Sequence, residues 1–201
     1  MKKSQSSSKS NFKYDKLNLG CSIFRKPGFV NIDIEEVRNP DVVYDLNKTP
    51  YPIADNSFSL IEADHVLEHL HDPFRVMKEL HRILKDNGKL VIRVPHFSRG
   101  FTHPDHKRGF DVSFPLYFNK KYAAFFCGTD FELVSMKLTW FAQPYVKKIS
   151  MSKSQYYAGL FLDSIFTPLA RLSPYFCSRI WCFLVGGFEE IEYIFKKNGN
   201  K

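Results

Sequence analysis

Hydrophobic positions in the first half of this chain follow two patterns, one typical of strands and one of a helix. Short runs rich in Val and Ile, bounded by turn residues, predict strands. They cover residues 16–20, 29–34, 41–46, 57–63 and 89–94. Between the fourth and fifth runs, Val76, Met77, Leu80, Ile83 and Leu84 repeat at helical spacing. A strand, a helix and a strand in this order predict a βαβ unit in a mostly parallel sheet.

Asp72 and Pro73 mark the predicted start of this helix, and Asn87 and Gly88 its predicted end. An Asp side chain can accept hydrogen bonds from the first N–H groups of a helix, and proline fits the first turn. An Asn-Gly pair favours the left-handed conformation that closes a helix.

The connections that precede the fourth strand are short. About eight residues separate the first strand from the second, and as many the second from the third, which is too few for full crossover helices. The sequence therefore predicts a sheet with trimmed early crossovers.

The second half of the chain alternates between predicted loops, helices and strands. A polar loop runs from Pro95 to about residue 111. The other predicted elements are a helix near 114–126, a strand near 131–140, helices at 156–172 and 175–184, and a final strand at 190–196. We expect a helical region at about 145–188, followed by a final antiparallel strand.

Length and charge refine the domain organisation. The 201 residues suit one domain, predicted at 16–201. Residues 1–15 are rich in Ser and Lys and poor in apolar side chains, so we expect a disordered basic tail. The net charge of +8 favours contact with a polyanion such as nucleic acid, anionic lipid or acidic glycan, although an ordinary solvated surface also explains it.

Cysteine usage and the absence of a secretory pattern predict a cytoplasmic protein. The four cysteines form no CxxC pair, and no apolar segment follows the N-terminal lysines. The aromatic region 156–188 is interrupted by Asp163, Arg171 and Arg179, so it does not predict a membrane span. It fits either core helices or a surface that rests on a membrane.

Three residues at predicted strand ends suggest a nucleoside ligand. Gly20 follows the first strand, and Asp33 and Asp45 come at the ends of the second and third. Ligands of open α/β sheets bind at the carboxyl ends of the strands, where a glycine permits close approach and an acid can bind a ribose diol. Asp45 could receive an adenine amine. Each residue alone is also explained as an ordinary turn residue.

The ordered runs LNLGCS, GFVNIDI, VVYDL, DNSFSLIEADHVLEHL and HRILKDNGKLVIRVPHF resemble the class I S-adenosylmethionine-dependent methyltransferases of the type 11 group. The resemblance spans residues 17–97 and implies a Rossmann-like α/β fold with flanking helices and S-adenosylmethionine as cofactor. The positions that it assigns to cofactor contact are Gly20, Cys21, Asp33, Ile34, Asp45, Leu46, Asp64 and His65. Ser22 replaces the second glycine of the family's GxG pattern.

The acceptor is less well indicated than the cofactor. The stretches HFSRGFTHPDHKRGFDVSFPLYF and VGGFEEIEYIF resemble a subgroup associated with surface-polysaccharide and lipid-glycan synthesis. This resemblance implies methyl transfer to a hydroxyl of a glycan or lipid-linked sugar, with peripheral membrane contact as a further expectation.

All seven histidines lie between His65 and His106, near the predicted carboxyl edge of the sheet. Because a hydroxyl acceptor must lose a proton, His65, His96 and His106 are candidate catalytic bases. His103 and Arg108 are candidate acceptor-binding groups. The loop histidines could also bind a metal, but they match no known ligand spacing, so no metal is predicted.

Three other interpretations remain open at this stage. A dinucleotide-dependent oxidoreductase would need a glycine-rich turn leading into a helix, for which there is no room after Gly20. A non-catalytic binding module is supported only by the missing second glycine. A nucleic-acid methyltransferase is supported by the basic charge, but the chain lacks an evident target-recognition domain.

Overall fold

A single seven-stranded sheet organises the computed structural model, which describes residues 12–100 and 103–199. The strands are β1 Lys16–Leu19, β2 Val30–Asp33, β3 Val42–Val43, β4 Phe58–Asp64, β5 Leu84–Pro95, β6 Phe131–Thr139 and β7 Glu190–Lys197. Their order in the sheet is β3-β2-β1-β4-β5-β7-β6. Strands β1 to β5 pair in parallel, and β7 runs antiparallel to both β5 and β6. This confirms the predicted Rossmann-like fold and its final antiparallel strand.

The helices of the described residues are α1 Pro73–Ile83, α2 Pro144–Ser150, α3 Lys153–Ala170 and α4 Pro174–Arg179. Asp72 caps α1 as predicted, because its carboxylate accepts hydrogen bonds from the N–H groups of Phe74 and Arg75 at 3.0 and 3.1 Å. The predicted end of this helix is wrong. Leu84 is already extended and pairs with Phe58 of β4, and this pairing keeps its side chain fully buried.

The trimmed early crossovers leave one face of the sheet polar. Within the described segment 12–100, no helix lies between β1 and β2, and only the 3₁₀ turn Glu36–Arg38 lies between β2 and β3. Alternation along β4 exposes Glu62 and Asp64 on this face, while Ile61 and Ala63 face the core. The polar face is covered by ion pairs instead of a packed helix.

The segment predicted as a helix at 114–126 is instead a 3₁₀ turn, Phe114–Phe118, followed by irregular turns. Phe114 and Phe118 are buried against the aromatic rings of β7. The side chain of Asn119 then accepts a hydrogen bond from the N–H of Lys121 at 3.0 Å, a local turn that competes with helix continuation.

The C-terminal helical region also differs in detail from the prediction. Helix α2 falls in the predicted helical region at about 145–188 but was not predicted as a separate helix, and the predicted helix at 175–184 divides into α4 and the 3₁₀ turn Trp181–Phe183. Within the described residues, no helix is long and apolar enough to cross a membrane.

Residues 1–11 of the predicted tail, 1–15, lie outside the described residues. Phe12 packs against Phe58 of β4, with 5.4 Å between the ring centroids.

Candidate active site

The loop that follows β1 brings its backbone close to the end of β4. Leu19 and Ala63 pair in parallel, so the two strands end side by side. Gly20 has a φ of +63°, and a Cβ built on it would lie 2.5 Å from Cγ2 of Val66. Glycine is therefore required here for two reasons, the left-handed backbone and the close packing. Ser22, in place of the family's second glycine, also has a positive φ of 43°.

Asp33 holds this loop against the end of β2. One carboxylate oxygen accepts a hydrogen bond from the N–H of Ser22 at 2.7 Å, and the other accepts one from the N–H of Glu35 at 3.0 Å. The residue is only 8% exposed. Each oxygen keeps a further lone pair, so the carboxylate can still accept hydrogen bonds from a ligand.

Asp45 is fixed in a similar way after β3. Its Oδ1 accepts hydrogen bonds from the backbone N–H and the side-chain amide of Asn47, at 3.0 and 3.2 Å. The backbone hydrogen bond from Asn47 is the main reason that the pKa of Asp45 lies below its usual value. Asp45 therefore presents a charged carboxylate at neutral pH.

These strand ends enclose a first cavity of about 460 Å³. It is lined by Gly20, Ser22, Asp33, Ile34, Glu35, Asp45, Leu46, Asn47, His65, Val66, His69, Leu70 and Asp105. Six of the eight predicted cofactor residues lie here. Cys21, a seventh, is buried beside the cavity and donates its backbone N–H to the carbonyl oxygen of Ile32.

Asp64, the remaining predicted cofactor residue, lies on the polar face of the sheet and does not line the cavity. Its carboxylate pairs with Lys26 at 2.7 Å and with Arg93 at 2.6 Å. Burial alone would raise the pKa of Asp64, but these two cations lower it. We therefore withdraw Asp64 as a cofactor contact, since the alternation of side chains along β4 places its carboxylate on the polar face of the sheet.

His65 occupies the boundary between the cofactor and acceptor sides of the site. Its Nε2 lies 2.8 Å from Oε2 of Glu190, and its Nδ1 lies 3.2 Å from Oε1 of Glu68. Burial lowers the pKa of His65, but the two carboxylates outweigh this effect and raise it to about 9. His65 is therefore a cation at neutral pH, with both nitrogens protonated. In that state it cannot act as a general base, although it can stabilise negative charge.

His96, a second predicted base, is fully buried in the core. Its ring nitrogens hydrogen-bond to the hydroxyls of Ser98 and Ser178, at 2.7 and 2.8 Å. Burial lowers the pKa of His96 to about 4. Since its ring is fully buried and both ring nitrogens are engaged in hydrogen bonds, we withdraw it as a catalytic candidate. It is a structural histidine.

A second cavity, of about 540 Å³, adjoins the first. Its lining residues are His65, His69, Pro95, Arg99, Gly100, His103, Pro104, Asp105, His106, Ala142, Gln143, Lys147 and Glu189. His65, His69 and Asp105 line both cavities. A ligand in one cavity therefore lies next to a ligand in the other.

Two histidines of the loop, His103 and His106, line the second cavity as expected for an acceptor site. Nδ1 of His103 lies 2.5 Å from Oδ1 of Asp105, and Nδ1 of His106 lies 2.8 Å from the carbonyl oxygen of Gly100. Each contact fixes which nitrogen carries the proton in the neutral ring, and it leaves Nε2 as the acceptor.

Arg108, the other predicted acceptor-binding residue, does not reach this cavity. Its guanidinium donates a hydrogen bond to the backbone carbonyl of His71 at 2.8 Å. It lines a separate, smaller pocket beside Phe74 and Phe114. We withdraw Arg108 as an acceptor contact.

Three acidic residues that sequence reasoning missed contribute to the site. Glu68 and Glu190 flank His65, and Glu189 lies in the wall of the second cavity. The pairing of Pro95 with Glu190 brings the start of β7 to the carboxyl edge of the parallel strands. The sequence did contain a signal for two of these residues, because Glu189 and Glu190 form an acidic pair at the start of the predicted final strand.

Comparison with known proteins shows which family model part of this chain matches. The model of the family described as "Methyltransferase domain" matches residues 25–92, about a third of the chain. No curated protein matches the chain. The matched segment contains Asp33, Asp45 and His65, three residues of the first cavity.

Solved structures share the whole fold at low sequence identity. An S-adenosylmethionine-dependent methyltransferase from Archaeoglobus fulgidus has a TM-score of 0.54 at 16% identity, over 92% of this chain and 86% of its own. One from Mesorhizobium loti has a TM-score of 0.53 at 11% identity, over 90% of each chain. The [4+2]-cyclase SpnF has a TM-score of 0.50 at 15% identity, over 92% of this chain and 75% of its own. Similarity at this level establishes the fold alone.

The residues of the first cavity fit S-adenosylmethionine. Its volume lies within the usual range of about 300–1,000 Å³ for small-molecule sites. The Asp33 carboxylate suits a ribose diol, and Asp45 with Asn47 suits the polar edge of adenine. Leu46, Val66 and Leu70 provide apolar walls.

Proposed function

We propose that the chain is a class I S-adenosylmethionine-dependent methyltransferase and that it methylates a hydroxyl of a lipid-linked sugar at a membrane surface. The reacting hydroxyl enters the second cavity, beside His103. The observation that carries this proposal is a polar, histidine-lined cavity in a chain that also exposes large apolar side chains on α3, on α4 and in the segments that follow these two helices.

The chemistry of the reaction requires a proton acceptor near the hydroxyl. The acceptor oxygen would form a bond to the methyl carbon of bound S-adenosylmethionine as the carbon–sulfur bond breaks, and the sulfonium would leave as a neutral thioether. His103 is the residue that we propose removes the hydroxyl proton, because it lines the second cavity and Asp105 holds its Nδ1–H, which leaves Nε2 as the nitrogen that can accept a proton. A carboxylate that orients the imidazole in this way also stabilises the imidazolium after proton transfer. His65 is already protonated and cannot perform this step.

The wall of the second cavity suits an anionic part of the acceptor, such as a phosphate. Lys147 and Arg99 both contact Glu189, so two cations share one carboxylate. Glu189 also accepts a hydrogen bond from the N–H of Ala142 at 2.7 Å. The excess positive charge of this wall would attract a phosphate that links sugar to lipid.

An exposed apolar surface lies on the helices that follow this wall. We call it the C-terminal apolar surface; it comprises Tyr157, Phe161, Ile165, Leu169, Leu172, Tyr175, Phe176, Ile180, Phe183 and Leu184. Leu172 is 83% exposed and Phe183 is 69% exposed. Large apolar side chains exposed in such number on neighbouring helical segments favour an interaction surface.

The occupant that we propose for the C-terminal apolar surface is an anionic lipid bilayer. Lys153 begins α3, Arg171 directly follows it and Lys148 lies on α2; all three are exposed, and the chain carries a net charge of +8. Apolar side chains mixed with basic ones are typical of helices that lie in a membrane interface. Basic residues near an anionic lipid surface each contribute about 1 kcal/mol to binding.

The catalytic part of the proposal is tested by a methyl-transfer assay on a membrane fraction with isotope-labelled S-adenosylmethionine. We expect label in a lipid-extractable product, linked through an ether oxygen. His103→Ala should lower the rate by about a hundredfold to ten-thousandfold, as for loss of a general base. His71→Ala is the matched control, because His71 is exposed and lines neither cavity. Label only on water-soluble products, or normal turnover by His103→Ala, would contradict the proposal.

The membrane part is tested by co-sedimentation with vesicles of phosphatidylcholine and phosphatidylglycerol. We expect the full chain to sediment with anionic vesicles and to be released by the double substitution Leu172→Ser and Phe183→Ser. Val134→Ser is the control, since Val134 is 58% exposed on β6, outside this surface. Binding that is unaffected by the double substitution, or no binding to any vesicle, would contradict this part.

A further inference from the structure

A buried carboxyl group close to two histidines of the second cavity has no hydrogen-bond partner among the described residues. Glu68 is fully buried, and neither of its side-chain oxygens has a hydrogen-bond partner among the described residues. The contact of Oε1 with Nδ1 of His65, at 3.2 Å, is an ion pair without hydrogen-bond geometry. Burying a carboxyl group without hydrogen bonds is costly, so such a group indicates a ligand or a functional role.

Two histidines converge on this carboxyl group. Glu68, His69 and His106 each offer one ligand atom, and the three atoms lie within 4.8 Å of one another. The rings of His69 and His106 meet edge to face, with 5.0 Å between their centroids. Three ligands that converge in this way can bind one ion after small side-chain adjustments.

The surroundings of His106 match those of a metal-binding histidine. Its Nδ1–H donates to the carbonyl oxygen of Gly100 at 2.8 Å, so Nε2 is the nitrogen available for coordination. Metal-binding histidines almost always donate their other ring N–H to a carbonyl or carboxylate in this way. Asp105 lies 3.9 Å from Nδ1 of His69 and provides an acidic neighbour for the second histidine.

From this geometry we infer a binding site for one divalent transition-metal ion, formed by Glu68, His69 and His106. Two imidazoles and one carboxylate are a ligand set suited to Zn²⁺, Fe²⁺, Mn²⁺ or Co²⁺. Three protein ligands leave coordination positions open. Because His69 and His106 line the second cavity, the open positions face the acceptor side. A metal ion there would bind an acceptor oxygen and lower the pKa of its hydroxyl.

The inferred site does not depend on the proposed acceptor, and a binding experiment with the metal alone tests it. The full chain, without an affinity tag, is freed of metal and titrated with Co²⁺ by calorimetry and visible absorption spectroscopy. We expect one Co²⁺ per chain and a spectrum without a thiolate charge-transfer band. His69→Ala and His106→Ala should each weaken binding at least about tenfold.

Two controls keep this test decisive. His71→Ala removes an exposed histidine outside the cluster, and it should bind Co²⁺ with unchanged affinity. Circular dichroism and the melting temperature of metal-free His106→Ala should match those of the unaltered protein, so that lost binding is not lost folding. No stoichiometric binding, equal affinity in His106→Ala, or a thiolate band that shows cysteine ligands would overturn the inference.

Discussion

Replacing Asp33 by asparagine tests the part of the site that holds the cofactor. The two carboxylate oxygens each accept one backbone hydrogen bond, from Ser22 and from Glu35, and each retains a lone pair toward the first cavity. The Asp33→Asn substitution keeps the size of the side chain but replaces one acceptor oxygen by an amide donor. The NH₂ group of the new amide would then face the backbone N–H of Ser22 or of Glu35, so that two donors meet. The site would also lose one charged acceptor for the ribose.

The expected loss follows from the value of one hydrogen bond to a charged group. Such a bond contributes about 1.5–3 kcal/mol, which corresponds to an increase of about 10- to 150-fold in the dissociation constant. Titration calorimetry with S-adenosylmethionine measures this change directly. Urea unfolding of the same variant reports separately on the strain in the loop after β1.

Asp41→Asn is the matched control for this experiment. Asp41 also accepts a backbone hydrogen bond, from Asn31 at 2.7 Å, but it does not line the first cavity. We expect it to lower stability and leave the cofactor affinity unchanged. If Asp33→Asn binds the cofactor normally, or if both variants lose affinity equally, the reasoning on Asp33 is refuted.

Three further predictions concern His65, Asp64 and His96. The pKa of His65 is raised to about 9 in the folded protein, above its value of about 6.5 in the unfolded chain. The stabilising charge of His65 is therefore fully present below about pH 6.5 and is lost as the pH rises through about 9. The difference in unfolding free energy between the unaltered protein and His65→Gln should therefore shrink over that range. A constant difference from about pH 6 to about pH 10 would show that His65 is not held as a cation. Asp64→Asn should lower the free energy of unfolding by only about 1 kcal/mol, because the ion pairs of Asp64 are partly exposed. Calorimetry should show that its affinity for the cofactor is unchanged. Weakened binding would return Asp64 to the cofactor site. His96→Asn should lower the free energy of unfolding by about 1–3 kcal/mol, because buried hydrogen bonds of His96 are lost. Turnover per folded molecule should be unchanged. Lost turnover at normal stability would return His96 to the catalytic candidates.

The cofactor cavity could be predicted from the sequence because it depends on strand ends. Parallel strands bring their carboxyl ends to one edge, so a glycine and two acids in order were enough to identify Gly20, Asp33 and Asp45. Asp64 was misplaced by the same reasoning. Its position at a strand end was correct, but its alternation with Ala63 directs the side chain to the polar face.

The protonation of the histidines could not be predicted, because it depends on residues distant in the chain. Glu190 lies 125 positions from His65 and raises its pKa, and Ser178 lies 82 positions from the buried ring of His96. Helix α2, which contributes Lys147 to the acceptor cavity, has no buried residue and so gave no periodic signal. Clustering of histidines in the sequence located the acceptor side, but tertiary contacts determine which of them can accept a proton.

Hydrogen–deuterium exchange with saturating S-adenosylmethionine reports where on the chain the cofactor binds. We expect slower exchange in the segments that line the first cavity, 20–22, 33–35, 45–47 and 65–70. We expect no change around His81, Asn87 and Asp130, which line a separate pocket. Protection at that pocket instead, or no protection at 20–22 and 33–35, would contradict the assignment of the cofactor site.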